Sequence, residues 1–364
     1  MRLNQLVGEI NKWAPFAYQE SYDNSGLLVG NMDQTIQKIL ISLDITEEIM
    51  EEAIQGDFDL IISHHPIIFK GLKSLTAKTP EEKIIMSAIK NDIAIMAIHT
   101  NLDNVIHGVN AKISDRLGLE QRELLWPQKG QLKKLAVYVP QTHLDLVRTA
   151  VFEAGAGHIG DYDHCSFGAE GKGTFRPGKE AHPFVGKLGE LHQEEEIKME
   201  SIFPAHLESK IVSALVKSHP YEEPAYDIYT LDNKNHRVGA GMIGMLKEEM
   251  EEVAFLKFLK EKMGTSCVRH TSLRGKKIRK VALCGGSGSF LIGAAKSNHA
   301  DVFVSGDIKY HDFFQANKQM MIADIGHYES EQFTKELIGD FLIENFPKFA
   351  VQISEHQTNP INYF

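Results

Sequence analysis

The sequence predicts an α/β protein, a duplicated α/β body interrupted by an inserted ferredoxin-like α+β domain. Three observations lead there. Apolar strand-like runs alternate with helical segments over residues 1–130, the alternation stops over 131–235, and it resumes over 236–364. The middle stretch reads βαββαβ, the split βαβ order of a ferredoxin-like module. The two outer segments look like diverged copies of one unit, "DLIISHH" beside "DVFVSGD" and "IAIMAIHTNLD" beside "QMMIADIGHYE".

Taken in order, residues 3–13 have helical apolar spacing and stop before Pro15, which cannot continue a helix. "KILISLD" (38–44), "FDLIISHH" (58–65) and "IAIMAIHTNLD" (93–103) read as strands, with helices at 46–55 and 80–91 between them. That rhythm implies a parallel sheet with crossover helices. After "LLWPQKGQ" (124–131) come a strand, "KKLAVYVP", and a helix, "QTHLDLVRTAVFEAG". Two Gly-rich extended stretches follow at 160–175 and 186–200, then the helix "AHLESKIVSALVKSH" and the strand "PAYDIYTL". A polar turn and a glycine cluster, "LDNKNHRVGAGMIG", return the chain to the body. There "IRKVALCGGSG" (278–288), "ADVFVSGD" (300–307) and "QMMIADIGH" (319–327) read as strands and 329–345 as one long amphipathic helix.

Composition narrows the function. Of 364 residues, 43% are hydrophobic and 24% charged, as in ordinary soluble domains. A net charge of −10 argues against gripping nucleic-acid phosphates or an anionic membrane. Cys165, Cys267 and Cys284 are far apart with no CxxC pair, which excludes a disulfide framework and a thiolate zinc knuckle and suits a reducing cytoplasm. The opening stretch, "MRLNQLVGEINKWAP", is amphipathic and charged, so it reads as neither signal peptide nor membrane span, and no apolar run reaches the ~18 residues a span needs. The expected location is cytoplasmic.

Ligands of open α/β sheets collect at the carboxyl ends of the strands, and neighbouring ends lie only ~5 Å apart. Here the apolar runs end on Asp44, on His64 and His65, on His99 with Asp103, on Asp307, and on Asp324 with His327. His64 and His65 are consecutive and point in opposite directions on an extended backbone, so two metals flanking the loop would take one each. The pair also fits one structural histidine beside an exposed one. His327 and Glu331 share a helical face, and at ~100° per residue that face is the inward one. An inward carboxylate needs a charge partner or a metal, although the spacing also fits an i,i+4 pair capping a helix. Asp103 fits a ligand at a strand end and equally an Asx turn or helix N-cap. Together His64, His65, Asp103, His327 and Glu331 form a borderline-to-hard ligand set for two divalent metal ions, zinc first, with iron or manganese as alternatives. No HExxH is present.

Asp307 and His311, a D-x-x-x-H pair at the next strand end, are candidates for proton transfer or for supporting a ligand, and also fit a helix cap and a surface histidine. "LCGGSGSF" (283–290) reads as a tight turn, with a phosphate contact as the lesser alternative. "SHPYEEPAYDIY" reads as an edge strand or a subunit contact, and His164 beside Cys165 as a thiol site without a second cysteine.

These pieces resemble one family, the GTP cyclohydrolase I type 2 homologues, also called the NIF-three-like family. The matching stretches are "YDNSGLLVG", "SHHPIIF", "HTNLD", "GGSG", "SGDIKYHD" and "GHYESE", and "HPYEEPAYDIY" matches the longer, insert-bearing members. One departure is Tyr22, where a tryptophan is common. The resemblance implies a binuclear metal site on His64, His65, Asp103, His327 and Glu331, a toroidal homohexamer, and a PII-like insert over 131–235. It implies a metal-dependent hydrolase acting through a metal-bridging water on a nucleotide or cyclic amide. The alternative is a non-catalytic hexameric metal-binding regulator or scaffold whose insert senses. The expected partners are copies of itself and a small-molecule or nucleotide substrate, with no membrane and no nucleic acid.

Overall fold

Short strands built from Ile, Leu, Val and Ala sit at the centre of two similar sheets in a computed structural model that describes residues 1–364. The first sheet runs in the order Gly26–Val29, Ala94–Ala97, Leu60–Ser63, Lys38–Ser42, Ala350–Ile353. Its outermost strand, Gly26–Val29, is antiparallel, and the other four are parallel. The second runs Arg269–His270, Met321–Asp324, Val302–Gly306, Lys277–Ser287, Asn235–Glu251, Leu119–Gln128, with its middle pairs parallel. In each, three strands successive in the chain lie in the same spatial order. Every residue of Leu60–Ser63, Ala94–Ala97, Val302–Gly306 and Met321–Asp324 is buried. That explains their continuous apolar character, since sheets covered on both faces do not alternate.

The helices start where their caps dictate. Thr46 and Thr79 accept from the backbone N–H groups of Ile49 and Glu82 at the starts of Glu47–Gln55 and Pro80–Lys90, satisfying donors the first turn leaves open. Leu3–Trp13 buries Leu3, Leu6 and Ile10 against the core.

The structure departs from the sequence reading at one helix and adds one strand. The segment 329–345 is not one helix but two, His327–Glu331 and Thr334–Asn345. The gap covers Gln332 and Phe333; the Gln332 N–H still bonds to the Tyr328 carbonyl, and its side-chain amide donates to the Met263 carbonyl at 2.8 Å. The glycine cluster after 236, to which the sequence assigns no element, is part of the 17-residue strand Asn235–Glu251. A Cβ at Gly239 would overlap the Trp126 carbonyl of the neighbouring strand, so glycine is what lets the two backbones approach.

The chain divides into two compact units, Met1–Pro127 with His236–Phe364, and Gln128–Asn235. The smaller is α+β. Its antiparallel sheet runs Phe167–Phe175, His192–Pro204, Leu132–Pro140, Tyr226–Leu231. Met199 and Phe203 from the sheet pack with Val151, Ile211 and Leu215 from the helices Leu144–Glu153 and Glu208–Ser218. No helix is long and apolar enough to cross a membrane.

Candidate metal centre

The strand Leu60–Ser63 delivers His64 and His65 to the site. Its ladder carries on past the last strand residue, with His64 N–H donating to Ser42 O (3.3 Å) and His65 N–H to Leu43 O (2.9 Å). Asp103 ends the one-turn helix Thr100–Asp103 that follows the next strand. His327 and Glu331 begin and end the one-turn helix after Met321–Asp324. The strand ends converge, and all five side chains meet.

The meeting is organised around one carboxylate. Glu331 Oε2 lies 3.0 Å from both His65 Nε2 and His327 Nε2, and those two nitrogens are 3.2 Å apart. Glu331 Oε1 lies 3.7 Å from His64 Nε2, which is in turn 3.7 Å from Asp103 Oδ1. Two triads, His65–His327–Glu331 and His64–Asp103–Glu331, therefore share Glu331, one oxygen each, with the ligand atoms of each triad within 4.8 Å of one another. His64 is fully buried and Glu331 3% exposed. Gly286, at φ +60°, makes room, because a Cβ there would overlap Glu331 Oε1.

Four histidines present the same edge to this space. Nδ1 of His64 donates to Ile98 O (2.8 Å), and Nδ1 of His65, His99 and His327 to Asp44, Asp23 and Asp307 (2.7 Å each). Fixing the proton on Nδ1 leaves Nε2 as the ligand atom, the orienting arrangement that metal-binding histidines use. His64 Nε2 and Asp103 Oδ1 are both buried with no hydrogen-bond partner. A lone pair and a carboxylate oxygen left so in the interior are costly unless something fills the gap. The donor set of imidazoles and carboxylates fits a divalent cation of the zinc, iron or manganese type.

Charge balance without a metal is kept by protons. Burial alone would lower the His65 imidazole, but hydrogen bonds to Asp44 and Glu331 override it and push the pKa up to about 10. Burial likewise opposes, and Glu331 and Asp307 reverse, the shift at His327, which rises to about 9. Asp103 is raised to about 7 by burial and then by the neighbouring Glu331. Glu331 is held well below the usual range despite its burial, first by the hydrogen bond from His327 and then by the neighbouring imidazoles of His64 and His65.

Of the remaining predicted site residues, Asp307 touches the centre only through His327 Nδ1. His311 stays outside it, its ring packed against Tyr310 (5.2 Å) and Phe314 (6.3 Å), and it does not line the cavity. The glycine loop is not an open anion cradle. The N–H groups of Gly285, Gly286 and Gly288 already donate to Asn110, Ser330 and Ser305. Asp103 does not cap the helix that follows it, Val109–Arg116, whose N-cap position is held by Gly108. The ligand reading left out His99, whose ring nitrogen lies with those of His64 and His65 in a third group, and Asp23, which holds it. Asp307→Asn or Asp44→Asn is expected to lower metal affinity about 10–100-fold while leaving the fold intact, read by competition against a chromogenic chelator.

The centre opens into a cavity of about 770 Å³ walled by Tyr22, Phe69, Phe290 and the C-terminal residues Asn359, Pro360 and Ile361. The α/β body thus carries clustered histidines and carboxylates that could hold metal ions. The sequence model of the DUF34/NIF3 (NGG1p interacting factor 3) family matches residues 1–360, and the chain belongs to that family. It is 40% identical to the GTP cyclohydrolase 1 type 2 homolog of Bacillus subtilis, covering 99% of this chain and 98% of that one. It is 41% identical to that of Halalkalibacterium halodurans, over 98% of both. A crystal structure of a Bacillus cereus protein related to NIF3 superposes with a TM-score of 0.85 at 38% identity, over 100% and 99% of the two chains.

Proposed function

We propose that this chain is a metal-dependent hydrolase of a compact cyclic amide, with two divalent cations held by His64, His65, Asp103, His327 and Glu331. The observation that carries the reading is the sharing of Glu331 between two triads, one of which holds two buried polar atoms without partners. Zinc suits the donors best, and iron or manganese are the alternatives. When bound, such a pair polarises a substrate oxygen and brings the pKa of a water down toward ~7.

The chain's own residues do the rest. Asp44 and Asp307 fix the tautomer and direction of His65 and His327, so Asp307 acts as a positioning residue. His99, held by Asp23 at 2.7 Å, belongs to neither Glu331 triad and is the imidazole available to protonate the departing nitrogen. Tyr22 and Phe69 stack with centroids 6.5 Å apart and give a flat ring an apolar wall. No lysine or arginine lines the cavity. A nucleoside triphosphate would find the cations but no basic side chain to share its charge, which favours a cyclic amide.

The family resemblance supports a homohexamer, a PII-like character for 128–235 and a cytoplasmic setting as parts of the same proposal. A second reading, a metal-binding regulator without turnover, is favoured by one observation: the smaller unit has a cavity of its own. The test is a panel of lactams, hydantoins and dihydropyrimidines, with GTP as comparison, assayed on protein loaded with zinc, manganese or iron(II). The hydrolase reading expects ring opening that a chelator abolishes and that His99→Asn loses while keeping its metals. Full metal occupancy without turnover on any compound would leave the regulator reading standing.

A further inference from the structure

The second cavity lies wholly within Gln128–Asn235 and encloses about 580 Å³, a volume typical of small-molecule sites. Its floor is the strand pair Phe167–Phe175 and His192–Pro204, where Gly171 stands opposite Glu196. Its walls are aromatic, with the rings of Phe175 and Phe184 centred 5.8 and 6.3 Å from that of Tyr221.

Glu196 is the unusual feature. It is 8% exposed, on a strand whose neighbouring residues Ile197 and Met199 point into the core. Its Oε1 accepts a hydrogen bond from the Tyr221 hydroxyl at 3.0 Å. Its Oε2 accepts none, and no basic side chain pairs with it. The nearby lysines are engaged elsewhere, Lys172 with Glu195 (3.1 Å) and Lys198 with Glu200 (2.7 Å). A buried carboxylate without a cation is costly. Yet the strand keeps glycine at 173, where a Cβ would overlap this same oxygen. Lys172 and Lys198 line the same cavity, but so do Glu170, Glu222 and Glu223, so with Glu196 the carboxylates outnumber the lysines and the lining is net negative.

A buried acceptor among aromatic faces is the chemistry that recognises an organic cation, by charge-assisted hydrogen bonding and by attraction to the ring faces. An anion meets the wrong charge. A bare metal ion finds one buried carboxylate and no histidine set, because every metal-competent group in the chain lies in the other unit. We propose that this cavity binds a small organic cation, an ammonium or guanidinium group on a compact body, with its charge against Glu196 Oε2 and its body among Phe175, Phe184 and Tyr221. The site is independent of the metal centre and does not rest on the hydrolase reading.

The test is calorimetric titration of the full-length protein, its metal centre already loaded with zinc, with agmatine and with choline, alongside magnesium chloride and inorganic phosphate. Wild type is expected to bind at least one of the organic cations, and Glu196→Gln and Phe184→Ala each to weaken that binding at least tenfold. Without ligand, Glu196→Gln is expected to melt at or above the wild-type temperature, because it removes an unpaired buried charge. The proposal is overturned if neither cation binds, if Glu196→Gln binds them equally well, or if magnesium or phosphate binds in their place. A melting temperature for Glu196→Gln well below wild type would make the carboxylate a structural partner of Tyr221 and overturn it as well.

Discussion

Glu331→Gln is expected to empty both cation positions together. Its two oxygens face different triads, and no other side chain belongs to both. The amide keeps the shape of the carboxylate, but it loses the charge and turns one acceptor into a donor aimed at imidazole nitrogens. The loss in affinity is expected to be on the order of 10³-fold, about 4 kcal/mol. His327→Ala should empty only the His65 side, and Asp103→Asn only the His64 side. Metal content by elemental analysis after gel filtration separates the three: none, one and one per chain, against two for wild type. Equal losses in all three variants would mean that Glu331 is not the shared ligand.

Metal affinity is expected to rise steeply with pH. Without metal, His65 and His327 have pKa values of about 10 and about 9 against an ordinary 6.5, so at pH 7 both carry protons. A cation needs their lone pairs, so binding at that triad releases two protons. Its apparent affinity then climbs about 100-fold per pH unit below pH 9 and flattens above 10. The metal-free fold shows the opposite sign. These raised values contribute stability that is complete below pH 6.5 and lost as pH rises through 9–10. Calorimetry at pH 7 in two buffers of different ionisation enthalpy counts the protons, and melting curves with and without chelator read the opposing trends. A pH-independent affinity would contradict the assignment.

The centre was legible because each apolar run stops on a polar residue, and the two halves of the body stop on the same kinds. His64, His65, Asp103 and His327 could be read that way, and Glu331 from the helical face it shares with His327. Their pairing could not. That Glu331 divides between two triads depends on where the second sheet sets the one-turn helix His327–Glu331, and the Gln332 side chain just after it is held by Met263, 69 residues earlier in the chain. His99 was visible as a strand end, but its orientation comes from Asp23, 76 residues earlier. The strand through Gly239 was missed for a related reason. Glycine weakens a strand locally, and only the neighbouring backbone shows why it is needed there. In the smaller unit, "HPYEEPAYDIY" does supply the edge strand Tyr226–Leu231, but Tyr221 finds its partner Glu196 on a strand 25 residues away.

Crystals grown with zinc and imaged by anomalous scattering at the zinc edge examine directly whether a pair of cations flanks Glu331. Two peaks per chain are expected, ~3.5–4 Å apart, one against Glu331 Oε1 with His64 and Asp103, the other against Oε2 with His65 and His327. A single peak, or density away from Glu331, would contradict it.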